Sequence, residues 1–481
     1  MFFIILLKIV SILAVIVGGT FIIPVAVAIY CNETQLLPSF LIPMAVSFVL
    51  FIAINIPSRK IKYQMTIRQT FLIVALCWIV ASVMASIPMH CCGVFGPYVN
   101  SFFESVSGFT TTGATILTDI DTVPRSINML RCLTHWLGGM GIVTLTVALL
   151  PLLGVGGFQL IKAETTGPEK GKVTARITTT AKVLWLIYAA FTILETILLK
   201  LAGMDFIDAL SHSFATLGTG GFSTKSASVG AYNSLSIDVI ITVFMFLAGI
   251  NFSLYYYLIQ RNFTEVKNNS ELKVYVGIVV FFILMTTLSL LQTYGTFGKS
   301  LRYASFQVVS ILSTTGFATA DFALWPNSTQ FWIFLLFFIG GCSGSTAGGI
   351  KVIRWVILTK QLNNEAKRML HPHGVFSIRL NSKVGRKDIV FNVAAFIILY
   401  LMLIFATMLV GCLGNLDLFS SFTGALSMVG NIGPAFGLLG PSQNYAFLPS
   451  FVKYWYSFAM LAGRLELYTM LIFLFPNYWK K

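Results

Sequence analysis

The chain has 481 residues, of which 56% are hydrophobic and only 10% are charged. This composition excludes a soluble globular protein and indicates a membrane protein with several spans. The net charge of +15 would suggest nucleic-acid binding in a soluble protein, but here it is interpreted through membrane topology, and we expect no nucleic-acid partner. The seven cysteines are scattered without a CxxC pattern, so neither a metal site nor a disulfide framework is predicted.

Ten apolar stretches are each long enough to cross about 30 Å of hydrocarbon as a helix. They are residues 3–30, 39–56, 70–88, 127–155, 183–202, 236–259, 274–293, 327–358, 389–412 and 451–475. The first stretch is too long for a signal peptide, and no clear cleavage site follows it. A shorter apolar segment lies within each of the last four pairs of stretches, and its length is more typical of a re-entrant helix than of a span.

This pattern predicts an all-α membrane protein. Four pseudo-repeated helix–pore-loop–helix units surround a central pore, and two extra transmembrane helices precede them. The predicted regions are the two N-terminal transmembrane helices at 1–69 and the pore units at 70–182, 183–273, 274–388 and 389–481.

The four short segments share one form, in which about three apolar turns are followed by a small polar cluster and a glycine. They read FESVSGFTTTGAT (Phe103–Thr115), SHSFATLGTGGFS (Ser211–Ser223), FQVVSILSTTGFAT (Phe306–Thr319) and TGALSMVGNIGPAF (Thr423–Phe436). The glycines that we align are Gly113, Gly220, Gly316 and Gly433. A single copy would be explained by a turn between helices, but four copies at matching places indicate a shared function.

Cation coordination by backbone carbonyl groups explains these segments. A dehydrated K⁺ ion needs several oxygen atoms at once, and neutral carbonyl groups provide them without trapping the ion. Glycine permits the tight turn this requires, and the short helices would aim their negative C-terminal ends at the ion. The predicted filter residues are Thr111, Thr112, Gly113, Gly218, Thr219, Gly220, Thr314, Thr315, Gly316, Asn431, Ile432 and Gly433. The fourth segment is the most divergent in its side chains.

The eighth apolar stretch is interrupted by the sequence GGCSGSTAGG at 340–349. Five glycines in ten residues destabilise a helix, so we predict an unwound loop in mid-membrane that could block or open the pore beneath the third filter strand. The alternative is a close helix–helix contact through a GxxxGxxxG pattern. The predicted gate residues are Gly340, Gly341, Ser343, Gly344, Ser345, Thr346, Gly348, Gly349 and Arg464.

Arg464 is a charged residue within the last apolar stretch. A charge at the centre of a bilayer costs about 2.5–3.5 kcal/mol on insertion scales, so such a residue usually faces an interior or a water-filled path. Glu466 is two residues from Arg464, so in a helix the two side chains would lie on nearly opposite faces. We therefore predict that Arg464 faces the pore as an electrostatic barrier, and the alternative is snorkelling to the interface.

Positive charge predicts the orientation of the chain. The segments 57–69, 156–182, 260–273, 351–388 and 480–481 hold 23 of the 32 lysine and arginine residues and would share one side. That side is cytoplasmic by the positive-inside rule, together with both termini. The basic run in 351–388 is either a topology signal or a site for membrane lipids or a cytoplasmic partner. The outer side would carry Glu104, Asp119, Asp121, Asp205, Asp208, Asp321 and Asp417, either as a cation-attracting mouth or as ordinary solvated carboxylates.

Six motifs resemble the superfamily of K⁺ transporters built from four membrane–pore–membrane units (Trk, Ktr and HKT). They are SGFTTTGAT at 107–115, ATLGTGGFST at 215–224, STTGFATADF at 313–322, GGCSGSTAGGIKVIR at 340–354, GNIGPAFG at 430–437 and GRLE at 463–466. The resemblance spans essentially the whole chain. The two extra N-terminal spans are similar to the Trk branch rather than to the shorter Ktr subunits.

This resemblance has several implications. It implies a symmetric homodimer with one pore per protomer and a cytoplasmic nucleotide-binding regulatory ring of the TrkA type. It also implies that the loop Gly340–Gly349 is an intramembrane gate, that Arg464 narrows the pore, and that glycine in all four filter segments favours K⁺ over Na⁺.

We therefore predict a K⁺-translocating subunit of a low-affinity uptake system in the bacterial inner membrane. K⁺ is then the transported ion, and no bound cofactor is expected. The alternative is a secondary transporter of another small solute or cation with a mid-membrane site. Such transporters usually have inverted repeats and two interrupted spans, whereas this chain shows parallel units and one. A membrane-embedded enzyme is disfavoured because the spans contain no cluster of catalytic polar residues.

Overall fold

The computed structural model describes residues 2–58, 66–141, 177–380, 383–384 and 388–480. Within these residues the regular secondary structure is helical apart from one antiparallel pair of short strands, Arg379–Leu380 and Lys383–Val384. The all-α prediction is therefore confirmed for the described part of the chain. The end of the first pore unit, including the basic segment 156–176, lies outside the described residues.

The helices fall into three groups by length. The long helices are Phe2–Thr20, Leu37–Asn55, Ile67–Cys91, Ile177–Leu201, Ser270–Tyr294, Val352–Leu370 and Asp388–Leu413. The intermediate helices are Tyr98–Phe109, Arg125–Gly139, Phe206–Gly218, Leu235–Ala248, Phe297–Leu312, Asn327–Leu336, Leu418–Gly430 and Ser450–Arg464. The shorter α-helices are Ile22–Tyr30, Phe252–Ile259, Phe263–Lys267, Tyr468–Leu471 and Pro476–Trp479, and the 3₁₀ turns are Thr34–Leu36, Ser228–Tyr232, Phe322–Leu324, Gly437–Leu439 and Ile472–Leu474.

Six described helical segments are long and apolar enough to cross a membrane, or up to eight if each of two bent pairs counts as one span. The six straight segments match the predicted stretches 3–30, 39–56, 70–88, 183–202, 274–293 and 389–412. Of the other four predicted stretches, 127–155 runs beyond the described residues and 327–358 is interrupted, as predicted, between Leu336 and Val352.

Two predicted spans are bent rather than straight. The helices Leu235–Ala248 and Phe252–Ile259 meet at 93°, and Ser450–Arg464 and Tyr468–Leu474 meet at 120°. The first bend falls at Gly249, and the second follows Arg464, where Glu466 and Leu467 both have positive φ angles. The predicted spans 236–259 and 451–475 are therefore each divided into two helices, because tertiary contacts described below take the place of helical hydrogen bonds at both breaks.

Four helices of intermediate length occupy the predicted re-entrant positions, and we call them the first to fourth short helices. They are Tyr98–Phe109, Phe206–Gly218, Phe297–Leu312 and Leu418–Gly430. Each packs against the long helix that precedes it in sequence. Their C-terminal turns are almost completely buried, so all four helices end inside the protein.

The units form a closed ring. The helix after the first short helix packs against the second short helix, and the same relation joins the second unit to the third and the fourth to the first. Between the third and fourth units, the ring of Phe337 lies 5.6 Å from that of Phe436. The N-terminal helices dock on the first unit, where the Glu33 carboxylate accepts hydrogen bonds from the Arg125 and Ser126 amides and caps the helix Arg125–Gly139.

Candidate ion pathway

The four short helices end in the same backbone conformation. One residue at each end adopts the left-handed region, and the amide of the next residue donates a hydrogen bond five residues back. The left-handed residues are Thr111 (φ 53°), Thr219 (φ 55°), Thr314 (φ 54°) and Asn431 (φ 54°). The hydrogen bonds are Thr112 to Ser107 (2.9 Å), Gly220 to Ala215 (2.8 Å), Thr315 to Ser310 (2.8 Å) and Ile432 to Ser427 (2.9 Å).

This repeated hydrogen bond defines the register of the four segments. The glycine two residues after each left-handed residue also has a positive φ. These glycines are Gly113 (80°), Gly221 (78°), Gly316 (82°) and Gly433 (98°). The equivalent of Gly113 in the second unit is therefore Gly221, so the alignment through Gly220 was wrong by one residue. Three of the four residues from Gly218 to Gly221 are glycines, so sequence alone leaves this register ambiguous, and Gly218 belongs to the helix end.

Neighbouring units come into close contact at these four glycines because glycine has no side chain. A Cβ atom placed on any of them would collide with a backbone carbonyl oxygen of the next unit around the ring. The distances would be 2.0 Å from Gly113 to Gly220, 2.1 Å from Gly221 to Thr315, 2.2 Å from Gly316 to Ile432 and 2.4 Å from Gly433 to Thr112. Each glycine thus contacts the following unit, and the last contact returns to the first, so the four segments close a ring of backbone carbonyl groups.

Threonine is an unusual choice at the left-handed positions. A β-branched residue in this region is an outlier, and such strain costs about 1–3 kcal/mol per residue. Glycine would relieve this strain. The Thr219 hydroxyl donates to the Gly218 carbonyl (2.6 Å), and the Thr314 hydroxyl accepts from the Gly348 amide. Asn431 tolerates this conformation better, and its amide donates to the Thr112 hydroxyl (3.0 Å) and the Met460 carbonyl (2.9 Å). The divergent fourth segment therefore keeps the backbone of the other three and ties itself to the first.

A cavity of about 100 Å³ lies on the side of the four glycines opposite to the short helices' C-terminal turns. All four ring glycines line it, together with residues that follow them in each segment. Lys225 is also in its wall, and the Lys225 amine lies 3.4 Å from the Asp121 carboxylate.

A buried ion pair supports the ring from behind. Arg131 and Glu104 are fully buried, and a guanidinium nitrogen lies 2.8 Å from the carboxylate. Arg131 also donates to the Ser223 carbonyl (3.3 Å), and Glu104 accepts from the Ile116 amide (2.9 Å). The pair therefore holds the backbone just beyond the ring in both the first and the second unit.

Three of the acidic residues predicted on the outer side have specific partners in the structure. Glu104 is buried in its ion pair, and Asp205 pairs with Arg125 at 3.1 Å. Asp417 caps the fourth short helix, and hydrogen bonds from Ser420, through its side chain and its amide, hold the pKa of Asp417 below its ordinary value. Two of these three carboxylates are thus paired with arginine, and Asp417 remains ionised as a helix cap.

His135 bridges two units close to the ring. Its Nδ1 lies 2.8 Å from the Gly108 carbonyl, and its Nε2 accepts from the Phe222 amide at 3.2 Å. These partners require the neutral tautomer that carries the proton on Nδ1. His135 thus fixes the residue that follows Gly221, and it has no free ring nitrogen for an ion.

The glycine-rich loop is unwound and lies directly under the ring. No helix is formed between Leu336 and Val352, so the alternative of a continuous helix in close contact is excluded. The Gly348 amide donates to the Thr314 hydroxyl at 2.6 Å, and a Cβ atom on Gly348 would lie 2.6 Å from the Gly430 carbonyl oxygen. The loop therefore contacts the ends of the third and fourth short helices.

Two polar anchors hold the loop from the second and third units. One carboxylate oxygen of Glu271 accepts from the Ser343 amide (2.7 Å) and the Ile353 amide (3.0 Å), one near each end of the loop. The Cys342 amide donates to the Gly249 carbonyl at 2.8 Å. Because Gly249 lies at the 93° bend, that bend exposes a carbonyl group that binds the loop.

Arg464 reaches the same loop from the opposite side. Its guanidinium donates to the carbonyl groups of Thr346 (2.6 Å), Gly138 (2.7 Å) and Gly139 (3.1 Å). The side chain therefore points into the ring of units and does not snorkel. Glu466 pairs with Arg354 rather than with Arg464, and this contact lies at the 120° bend.

The sequence profile of a family described as TrkH, cation transport protein, matches residues 37–481. The chain belongs to this family. The TrkH family consists of transport proteins, so the prediction that the chain is not an enzyme is confirmed. The resemblance inferred from the six motifs is confirmed as well.

Curated relatives of this TrkH-family chain include two proteins of Escherichia coli K12. The Trk system potassium uptake protein TrkH is 37% identical over 486 residues, covering 98% of this chain and 99% of the relative. The Trk system potassium uptake protein TrkG is 33% identical over 470 residues, covering 95% of this chain and 94% of the relative. The crystal structure of the potassium transporter TrkH from Vibrio parahaemolyticus matches with a TM-score of 0.88 and 34% identity over the whole of both chains.

Sequence reasoning missed several residues at the centre of this TrkH-family chain. Arg131 and Glu104 are 27 positions apart, and Glu271 lies far in sequence from the loop that it holds. The available signal was the presence of charged residues in or beside apolar segments, which usually have a specific partner.

Proposed function

We propose that the chain translocates K⁺ across the bacterial inner membrane for low-affinity potassium uptake. The observation that carries the proposal is the closed ring of four segments, in which each glycine lies against a carbonyl group of the next unit. Neutral carbonyl oxygens arranged around one axis replace the hydration shell of a monovalent cation. Curated relatives that cover nearly the whole chain are named potassium uptake proteins.

The filter in this proposal consists of three residues from each segment. In the register of the repeated hydrogen bond, they are Thr111–Thr112–Gly113, Thr219–Gly220–Gly221, Thr314–Thr315–Gly316 and Asn431–Ile432–Gly433. The short helices direct their C-terminal ends toward the same centre, and their dipoles favour a cation there.

The loop Gly340–Gly349 and Arg464 form the gate in this proposal. The loop contacts the ends of two short helices, so an ion leaving the filter meets it directly. The Arg464 guanidinium holds the loop to the helix Arg125–Gly139 and places a positive charge on the path of a cation. Opening then requires the loop to leave Thr314 or Arg464 to release it.

The assembly and orientation belong to the same proposal. The chain works as a homodimer with both termini in the cytoplasm, and a TrkA-like nucleotide-binding ring regulates it. The basic cytoplasmic face also suits anionic membrane lipids. The helix Val352–Leu370, which follows the loop, carries exposed apolar residues such as Leu362, Met369 and Leu370, and is a natural element for coupling a cytoplasmic partner to the gate.

Ion flux in liposomes tests the function. The purified chain is reconstituted, and fluxes of K⁺, Rb⁺, Na⁺ and Li⁺ are compared with and without an opposing proton gradient. We expect K⁺ and Rb⁺ to pass faster than Na⁺ and Li⁺. Equal fluxes of all four ions, or none, would overturn the proposal, and uptake of another solute would favour a secondary transporter.

The gate has its own test in the same liposomes. Arg464→Ala removes three hydrogen bonds and the positive charge, so we expect K⁺ flux to rise. Arg464→Lys keeps the charge with fewer hydrogen bonds and separates the electrostatic barrier from the tether. Wild-type flux in both variants would contradict a gating role for Arg464.

A further inference from the structure

The carbonyl group of Gly433 differs from those of the other three ring glycines. It accepts a hydrogen bond of 2.8 Å from the hydroxyl group of Tyr445, which is buried. In the described part of the chain, the carbonyl groups of Gly113, Gly221 and Gly316 accept no hydrogen bond. Among the carbonyl groups of the four ring glycines, three oxygens are thus free and that of Gly433 is already hydrogen-bonded.

The position of Tyr445 does not depend on its hydroxyl group. Its amide donates to the Thr115 carbonyl at 2.9 Å, which joins the fourth unit to the first. Its ring packs against Phe103 at 5.8 Å and against Tyr456 at 6.4 Å between centroids. Tyr445 also lines the cavity above the ring. The hydroxyl is therefore held at Gly433 by contacts that its removal leaves in place.

We infer that Tyr445 is a positioning residue that sets the ion preference of the filter by fixing the Gly433 carbonyl. This inference rests on the proposed function of the ring as a filter. A carbonyl oxygen has two lone pairs, and the Tyr445 hydroxyl occupies one and restrains the direction of the other. A smaller ion such as Na⁺ needs its oxygen ligands to move inward, and a tethered carbonyl group follows it less readily than a free one. Tyr445 therefore favours K⁺ over Na⁺.

The substitution Tyr445→Phe tests this inference, because it removes only the hydroxyl oxygen. We expect the K⁺/Na⁺ flux ratio in liposomes to fall about two- to tenfold, which is the range that a net hydrogen-bond free energy corresponds to. Tyr456→Phe is the matched control. Tyr456 is also buried and packs against Tyr445, but its hydroxyl has no hydrogen-bond partner among the described residues.

The outcomes separate this inference from the proposed function. If the wild-type chain does not prefer K⁺, the proposed function fails. If the wild-type chain is selective and Tyr445→Phe has the same flux ratio, the inference about Tyr445 is overturned. A change of equal size in Tyr456→Phe would also overturn it, because the effect would then come from packing.

A second measurement covers a variant that folds but does not transport. Ions that bind the native filter raise the thermal unfolding temperature of the detergent-solubilised protein. In the wild-type chain we expect K⁺ to protect more than Na⁺, and in Tyr445→Phe we expect this difference to shrink. An undiminished difference in Tyr445→Phe would contradict the inference without any transport assay.

Discussion

At the scale of single residues, the ring depends on the absence of a side chain at four glycines. Gly113, Gly221, Gly316 and Gly433 each leave room for a carbonyl group of the next unit. The threonines beside them accept an unfavourable backbone conformation, and Thr314 uses its side chain to contact the loop. Strain of this kind persists only where surrounding contacts determine the backbone, and it is concentrated at functional sites.

Gly113→Ala tests the close approach at the ring. The new methyl group would lie 2.0 Å from the Gly220 carbonyl oxygen, so we expect a lower thermal unfolding temperature and a lower K⁺/Na⁺ flux ratio. Gly93→Ala is the matched control, because Gly93 has nearly the same φ (78° against 80°) but no neighbouring atom within 4 Å of the new methyl group. Both variants have the backbone strain, about 1 kcal/mol, and only one has the clash. Equal effects would show that the close approach is unimportant.

The ring was partly predictable from the sequence. Three of the four aligned glycines occupy equivalent positions, because the repeated pattern of apolar turns, small polar residues and glycine reports a common backbone. The second unit was displaced by one residue, since Gly220 and Gly221 are distinguished by the hydrogen bond from Gly220 to Ala215 and by the positive φ of Gly221, which only the folded chain shows. The partners of Glu104 and Arg131 were not predictable, because a single sequence does not show which charges meet after folding.

At the scale of elements, the glycine-rich loop is held by groups from all sides. Glu271 binds the loop near both ends, Gly249 binds it at the bend, and Arg464 binds the Thr346 carbonyl. The unwinding of the loop was predicted from its composition, whereas the two bends were not. Gly249 gave a weak signal for the first bend. At the second, the residues between Arg464 and Tyr468 include no glycine or proline, and the contact of Glu466 with Arg354 accompanies the break.

Thr314→Ala tests the contact between the loop and the third filter segment. The Gly348 amide would lose its acceptor, and an unsatisfied buried amide costs about 1–3 kcal/mol. We therefore expect the loop to leave this position more often and resting K⁺ flux in liposomes to rise about two- to tenfold.

Thr314→Ser is the control for that substitution. Serine keeps the hydroxyl acceptor in the same backbone conformation, so flux should stay near the wild-type value. If alanine and serine at this position both leave the flux unchanged, the hydrogen bond to Gly348 has no part in gating.

At the scale of the whole molecule, the four units enclose a ring to which the N-terminal helices are attached on one side. They pack against the helices Ile67–Cys91 and Arg125–Gly139 of the first unit, and the Glu33 carboxylate caps the start of the second of these. Six of the ten predicted apolar stretches match straight helices of membrane-spanning length, since hydropathy alone identifies such segments. The closure of the ring between the third and fourth units was not, because it depends on aromatic contacts such as that of Phe337 with Phe436.

The orientation predicted from the positive charges has a direct test in the existing cysteines. Cys91 is exposed and lies at the end of the long helix that precedes the first short helix, on the side assigned to the exterior. In a chain that keeps only this cysteine, a membrane-impermeant thiol reagent should label Cys91 in intact cells. Lys480→Cys in a cysteine-free chain should be labelled only after the cells are permeabilised. The reverse pattern would show that the predicted orientation is inverted.

The closure of the ring within one polypeptide has a consequence for how it can vary. In a channel assembled from four identical chains, every substitution enters the ring four times, and a poorly tolerated one alters all four sectors together. Here Gly113→Ala alters one sector, at its border with Gly220, and leaves three junctions as they were. Alanine can therefore be placed at Gly113, Gly221, Gly316 and Gly433 one at a time, and the K⁺/Na⁺ flux ratio of each variant gives the contribution of one sector. Differences between the four variants would measure how far the sectors have diverged from one another.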